Sequence, residues 1–282
     1  MRRKMMMGGT STSDVNLPVG ACTMKYLITN SDDFGMCHAV NRGIVRGFQD
    51  GILTQSTLMV PCPWFAEAVA LAKTHEIPVG VHLTATCDWD RYRWRPLTPV
   101  TSFVMADGTF CSDLRYVRQQ ADRTELEAEF AAQIECVLAH GIQPTHLDSH
   151  MGMVDVDVMG RLCRRYGIPT HEQMVSAQYP DTVFSLSSTV VVYSEYEDKR
   201  TLFRQYLEQL TDGYHAAIFH LGEAGDELAA MASREYHMWP WTQPYRASDL
   251  AMILDPGVKH WCEELDIQLT TFAACPSPLV TS

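Results

Sequence analysis

Between residues 25 and 84 the chain changes period repeatedly, and that alternation limits its folds more than any other feature. Residues 25–32, 54–60 and 79–84 are short and mostly apolar, as strands are. Between the first two, Val40, Ile44, Val45 and Phe48 fall at helical spacing; between the second and third, residues 64–75 place Phe65, Val69 and Leu71 or Ala72 inward. Strand, helix, strand, helix, strand predicts an α/β fold with a parallel sheet and crossover helices.

The rest of the chain extends this pattern. Residues 123–140 form the clearest helix, with Leu126, Phe130, Ile134, Val137 and Leu138 as one stripe, Thr124-x-x-Glu127 as a capping box and Gly141 as its stop. Residues 154–166 and 199–210 read as helices, 189–193 and 216–222 as strands, 248–265 as a helical region broken at Pro256, and 267–273 as a final strand. The 282 residues suffice for one large core, of barrel or doubly wound type, and no linker interrupts residues 24–282. Residues 1–23 read as a disordered leader, since their basic start is not followed by an apolar stretch.

Charge and cysteine usage exclude several function classes. A net charge of −12 without a basic stripe argues against nucleic acid as a partner. No run approaches the roughly 20 apolar residues of a membrane span. Nine cysteines with no C-x-x-C pair fit reduced thiols in a cytoplasmic protein.

The chemistry collects at the ends of the expected strands. Asp32 and Asp33 end the first, His82 lies in the third, His146, Asp148 and His150 alternate along Thr145-His146-Leu147-Asp148-Ser149-His150, and His220 closes a late strand. In parallel α/β sheets the carboxyl ends of strands surround one crevice, so these residues are expected to share a pocket. An aspartate and two histidines suit a divalent ion with open positions, and a neighbouring carboxylate could take a proton from water beside it. One carboxylate and two imidazoles accept magnesium or zinc, with the nitrogen ligands leaning toward zinc.

Three runs, Ile28-Thr29-Asn30-Ser31-Asp32-Asp33-Phe34-Gly35, Gly80-Val81-His82-Leu83-Thr84 and Pro144-Thr145-His146-Leu147-Asp148-Ser149-His150, resemble the YdjC-like (ChbG-type) carbohydrate deacetylases in order and separation. The resemblance covers roughly residues 25–274. It implies a distorted TIM-like (β/α) barrel of mostly parallel strands that removes N-acetyl groups from amino sugars, chitooligosaccharides among them. By the same resemblance Asp33, His82 and His150 hold one divalent metal ion, Asp32 is the general base and His220 the general acid. Two features depart from the pattern: Met151-Gly152-Met153 stands where family members often carry further histidines, and the aromatic stretch after His82, residues 85–112, is longer.

Other readings stay open at the level of sequence. His146 and Asp148 could support the ligands or cap backbone groups, and Asp33 could be a helix N-cap. Trp89 and Trp94, and Arg246 beside the Trp239, Trp241 and Tyr245 cluster, are candidates for substrate contacts; the aromatic clusters equally suit a lid or a homodimer contact. Arg91, Arg93 and Arg95 read as solvated, and His171 and His215 as surface residues. Two histidines and an aspartate also describe the facial triad of iron(II) oxygenases, and a non-catalytic sugar- or metal-binding barrel is the third alternative.

Overall fold

The longest strand, β1 (Lys25–Phe34), runs through the middle of the sheet and is covered on both edges. The computed structural model describes residues 24–191 and 196–279, so the expected leader and the end of the strand read at 189–193 lie outside them. After β1 come α1 (His38–Asp50), β2 (Gln55–Leu58), α2 (Phe65–Thr74), β3 (Val79–Leu83), α3 (Leu114–Gln120), α4 (Arg123–Ala139), β4 (Leu147–Ser149) and α5 (Val156–Tyr166). The second half contains β5 (Ser187–Val190), α6 (Tyr196–Glu208), β6 (Gly213–Phe219), α7 (Asp226–Ala230), α8 (Gln243–Leu254), α9 (Pro256–Glu264) and β7 (Ile267–Thr270).

The sheet order is β4-β3-β2-β1-β6-β5, with β7 also on β1, and every ladder is parallel. β7 pairs with Lys25 to Ile28, whereas β2 pairs with the carboxyl half from Asn30 to Phe34. β6 pairs with β1 from Lys25 to Ser31. Leu27 and Ile28 are wholly buried, which stabilises the fold by about 1.5–3 kcal/mol for each side chain. The sheet curls, and beyond β4 two single bridges continue it, Leu147 to Thr170 and Thr170 to Val183, the latter four residues before β5. The result is a distorted (β/α) barrel, a curled half-barrel with no ladder between β4 and β5 among the described residues.

The expected α4 is present, but its cap differs. Asp122 accepts from the amides of Thr124 and Glu125, while Glu127 pairs with Arg161, so the capping box read from Thr124 is not used. Asp122 stands one residue before the helix and reaches both amides, leaving Thr124 inside the first turn.

Residues 85–112 are packed, not splayed. Trp89, Phe103 and Phe110 are fully buried, and α4 grips the segment with two buried polar side chains on its inner face. The Glu129 carboxylate accepts from the amides of Leu97 and Thr98, and Gln133 bonds both backbone groups of Thr84. Arg93, expected in solvent, donates to the carbonyls of Trp89 and Phe110 and to Thr109. The eight cysteines among the described residues are all free thiols, and no described helix is long and apolar enough to cross a membrane.

Candidate active site

Neighbouring residues of a strand point to opposite faces, so Asp32 and Asp33 should not share a pocket. They do so because Asp33 has a left-handed backbone, φ 73°, at a break in the β1/β2 register between Ser31 and Phe34. A non-glycine residue held there stores roughly 1–3 kcal/mol of strain, as residues at functional sites often do. The N-cap reading of Asp33 fails: the cap position of α1 belongs to Cys37, and no side chain caps it.

The three expected ligands meet. Oδ1 of Asp33 lies 3.4 Å from Nε2 of His82 and 3.4 Å from Nδ1 of His150, and the two ring nitrogens are 3.3 Å apart. All three side chains are buried, and Oδ1 has no hydrogen-bond partner. A buried carboxylate oxygen facing two imidazole nitrogens, with nothing aligned to satisfy it, fits a cation at their common centre. Each of the three is fixed from behind. His82 Nδ1 lies 2.8 Å from Asp148 Oδ1, His150 Nε2 makes a very short contact with Asp88 Oδ1, and Arg246 donates to Asp33 Oδ2 at 2.7 Å. Carboxylates on the outer nitrogens set the tautomers that leave the inner ones to a metal.

His150 reaches this position differently from the alternation expected of a strand. β4 stops at Ser149; His150 opens a tight turn in which Met151 has φ 54°. Asp148 pairs with His82 across β4 and β3, which explains their contact.

Burial opposes charge throughout the cluster, and its partners decide each outcome. Burial penalises the Asp33 carboxylate, but Arg246 and the two imidazoles hold it well below the usual range. His82, also penalised by burial, is pushed well above its ordinary value by Asp148 and Asp32; His150, through Asp88 and Asp33, rises to about 9. Asp32 is raised to about 7, mainly by burial, with Asp148 and Asp33 adding to the effect and His82 opposing it. His220 is lowered to about 3 by burial, with Arg246 and the two imidazoles acting in the same direction.

Asp32 stands beside the triangle without completing it. Its Oδ1 accepts from Asn30 at 2.7 Å and Thr57 at 3.3 Å, while Oδ2 is 4.0 Å from His82 Nε2 and 3.7 Å from His220 Nε2. These groups open into a cavity of about 600 Å³ bounded by Trp89, Trp241, Met238 and Val190 among others.

The family model for YdjC-like proteins matches residues 26–264. This chain belongs to that family. A carbohydrate deacetylase of Geobacillus stearothermophilus is 31% identical over 88% of this chain and 97% of its own, and one of Clostridium beijerinckii is 36% identical over 87% and 98%. A solved Enterococcus faecalis V583 protein, provisionally described as a cellobiose-phosphate cleavage protein, superposes with a TM-score of 0.75 at 24% identity, covering 88% of this chain and 98% of its own, a likeness of fold. The oxygenase alternative gains nothing from a parallel barrel of this lineage.

Within this YdjC-like chain the supporting candidates divide. Arg246 is at the centre, on Asp33, and Trp89 lines the cavity while its indole N–H points to Met36 Sδ. Trp94 is buried away from the cavity, its indole donating to Thr86 O and its ring edge-on to His150. His146 packs under the site against Phe272, with Nδ1 on Thr145 and Nε2 3.8 Å from Asp148 Oδ2. His171 is not a surface residue: it is buried, faces the same Asp148 oxygen at 3.8 Å and borders the cavity. His215 is buried too, between Ser187 and the Thr211 carbonyl. Asp88 and His171 had no signal in local periodicity, because their partners come from other strands.

Proposed function

We propose that this protein is a metal-dependent hydrolase that removes the N-acetyl group from an amino sugar or oligosaccharide. The observation that carries the reading is the triangle of Asp33 Oδ1, His82 Nε2 and His150 Nδ1 beside an Asp32 carboxylate that stays outside it. The relatives named as carbohydrate deacetylases, spanning nearly the whole chain, support the substrate class.

Asp33, His82 and His150 would hold one divalent ion. Two imidazole nitrogens in a set of three donors favour zinc over magnesium, which prefers oxygen ligands. When bound, such an ion polarises the acetyl carbonyl and lowers the pKa of an adjacent water.

The protein's own groups handle the protons. Asn30 and Thr57 occupy Asp32 Oδ1, which leaves Oδ2 to take a proton from the attacking water. His220 Nε2, 3.7 Å from Asp32 Oδ2, holds no extra proton of its own at neutral pH with its pKa lowered to about 3, so it passes to the departing amine the proton that Asp32 takes from the water. Trp241, partly exposed at the cavity wall, supplies a flat face on which the apolar side of a sugar ring can stack.

The test is acetate release from a panel of N-acetylated mono- and oligosaccharides by zinc-loaded protein. Activity abolished by chelation and by Asp32→Asn, the latter with metal content unchanged, is the expected result. A folded, metal-loaded protein that frees no acetate from any member of the panel would remove the reading.

A further inference from the structure

Lys199 has no solvent exposure at its side chain and takes no part in the chemistry described above. Its Nζ forms a very short ion pair with Oδ1 of Asp249, itself wholly buried. The other oxygen, Asp249 Oδ2, accepts the backbone N–H of His220 at 2.7 Å. That amide belongs to the first residue after β6, where the β1/β6 ladder has ended at Phe219, so α8 supplies the acceptor that the sheet no longer does.

The ring of His220 needs such help. A catalytic histidine is usually held by a carboxylate on Nδ1, but here Nδ1 is buried with no hydrogen-bond partner. Its orientation comes from the backbone and from two aromatic walls, Tyr245 at 5.7 Å and Trp241 at 6.4 Å between ring centroids. Tyr245 is fixed in turn by a bond from its hydroxyl to the Val191 carbonyl, and Lys199 Nζ lies over its ring at 4.4 Å. One buried ammonium therefore touches both supports of His220: the carboxylate on its amide and the ring beside its imidazole. Buried ion pairs add little net stability compared with apolar replacements, so a fully enclosed one calls for another role.

We propose that Lys199 and Asp249 are positioning residues that hold His220 at its distance from Asp32, and so set the rate of proton delivery to the leaving amine. The proposal rests on the reading of His220 as proton donor. Two charge-neutral double variants isolate the clamp. Lys199→Met with Asp249→Leu removes the acceptor on the His220 amide; Lys199→Met with Asp249→Asn keeps a carboxamide oxygen there.

With an N-acetylated sugar that the wild type hydrolyses, the leucine variant should lose about 10- to 100-fold in kcat. KM should stay within about twofold and zinc content should be unchanged. The asparagine variant should recover most of the lost kcat. Equal rates in the two variants, a loss confined to KM, or failure of both to fold would overturn the proposal, the last by assigning the pair to the core alone. A wild type inactive on every acetylated sugar would instead refute the deacetylase reading, so the two failures are distinguishable.

Discussion

Oδ1 of Asp33 and Nε2 of His82 face each other at 3.4 Å with no hydrogen bond satisfying the carboxylate oxygen. Asp148 behind His82 and Arg246 behind Asp33 hold these two atoms, drawn from β1 and β3, where the proposed cation would lie between them. Replacing either side chain with alanine should reduce bound zinc to below about a tenth of an equivalent, since two remaining donors do not make a protein zinc site. Acetate release should fall by at least about 1,000-fold. Metal analysis after gel filtration checks the first expectation, and a variant that keeps full zinc would show that the triangle is not the ligand set.

The carboxylates behind the ligands should matter nearly as much. Asp148→Asn places an amide against His82 Nδ1, and Asp88→Asn does the same at His150 Nε2. Either change removes the charge that fixes the imidazole tautomer, and the expected cost is about 10- to 100-fold in zinc affinity. Competition with a chromophoric chelator measures it. The Asp148 variant should suffer more, because the same carboxylate also faces His146 and His171.

The histidine shifts set a pH dependence with a definite sign. His150 is raised from its ordinary 6.5 to about 9, and His82 moves in the same direction. A base with a raised folded-state pKa contributes its stability in full below about 6.5 and loses it as pH climbs through about 9. Metal-free protein should therefore melt at progressively lower temperature across that window. Zinc must displace these protons, so the rise in melting temperature on adding zinc should grow over the same range. Melting curves with and without zinc at four or five pH values check both slopes, and a zinc effect that is flat with pH would contradict the assignment.

Much of this was legible in the sequence, for identifiable reasons. The alternation of periods over the first three strands gave the parallel sheet, and the spacing of His146, Asp148 and His150 marked the centre although only Leu147–Ser149 is strand. What escaped was non-local or against the period. A strand reading puts Asp32 and Asp33 on opposite faces, and only the left-handed turn at Asp33 reconciles them. Asp88 sits in an irregular stretch, and its partner is a histidine 62 residues away. His171 and Lys199 are polar side chains buried by tertiary contacts, so neither carried a local signal. Glu129 and Gln133 did carry one, as polar residues on the buried side of α4 beside Phe130 and Ile134, which is where a helix grips a loop.

Gly80 offers a test of how closely β3 and β4 must approach. A Cβ added there would lie 2.5 Å from His146 Cε1, 2.6 Å from its Nδ1 and 2.8 Å from its carbonyl oxygen. The ring cannot swing away freely, being packed against Phe272 with centroids 4.1 Å apart, and the carbonyl is part of the backbone that accepts from the Val81 amide. Gly80→Ala should therefore force the two strands apart at a cost of roughly 1–3 kcal/mol, which corresponds to a fall of about 2–10 °C in melting temperature. Because His82 pairs with Asp148 two residues along the same two strands, zinc affinity should drop with stability. Gly225→Ala, where no atom lies within 4 Å of the added carbon, is the control: as the N-cap of α7 it should cost only about 0.5 kcal/mol and leave zinc affinity unchanged. If Gly80→Ala behaved like that control, the close packing of His146 on β3 would not be what holds Asp148 against His82.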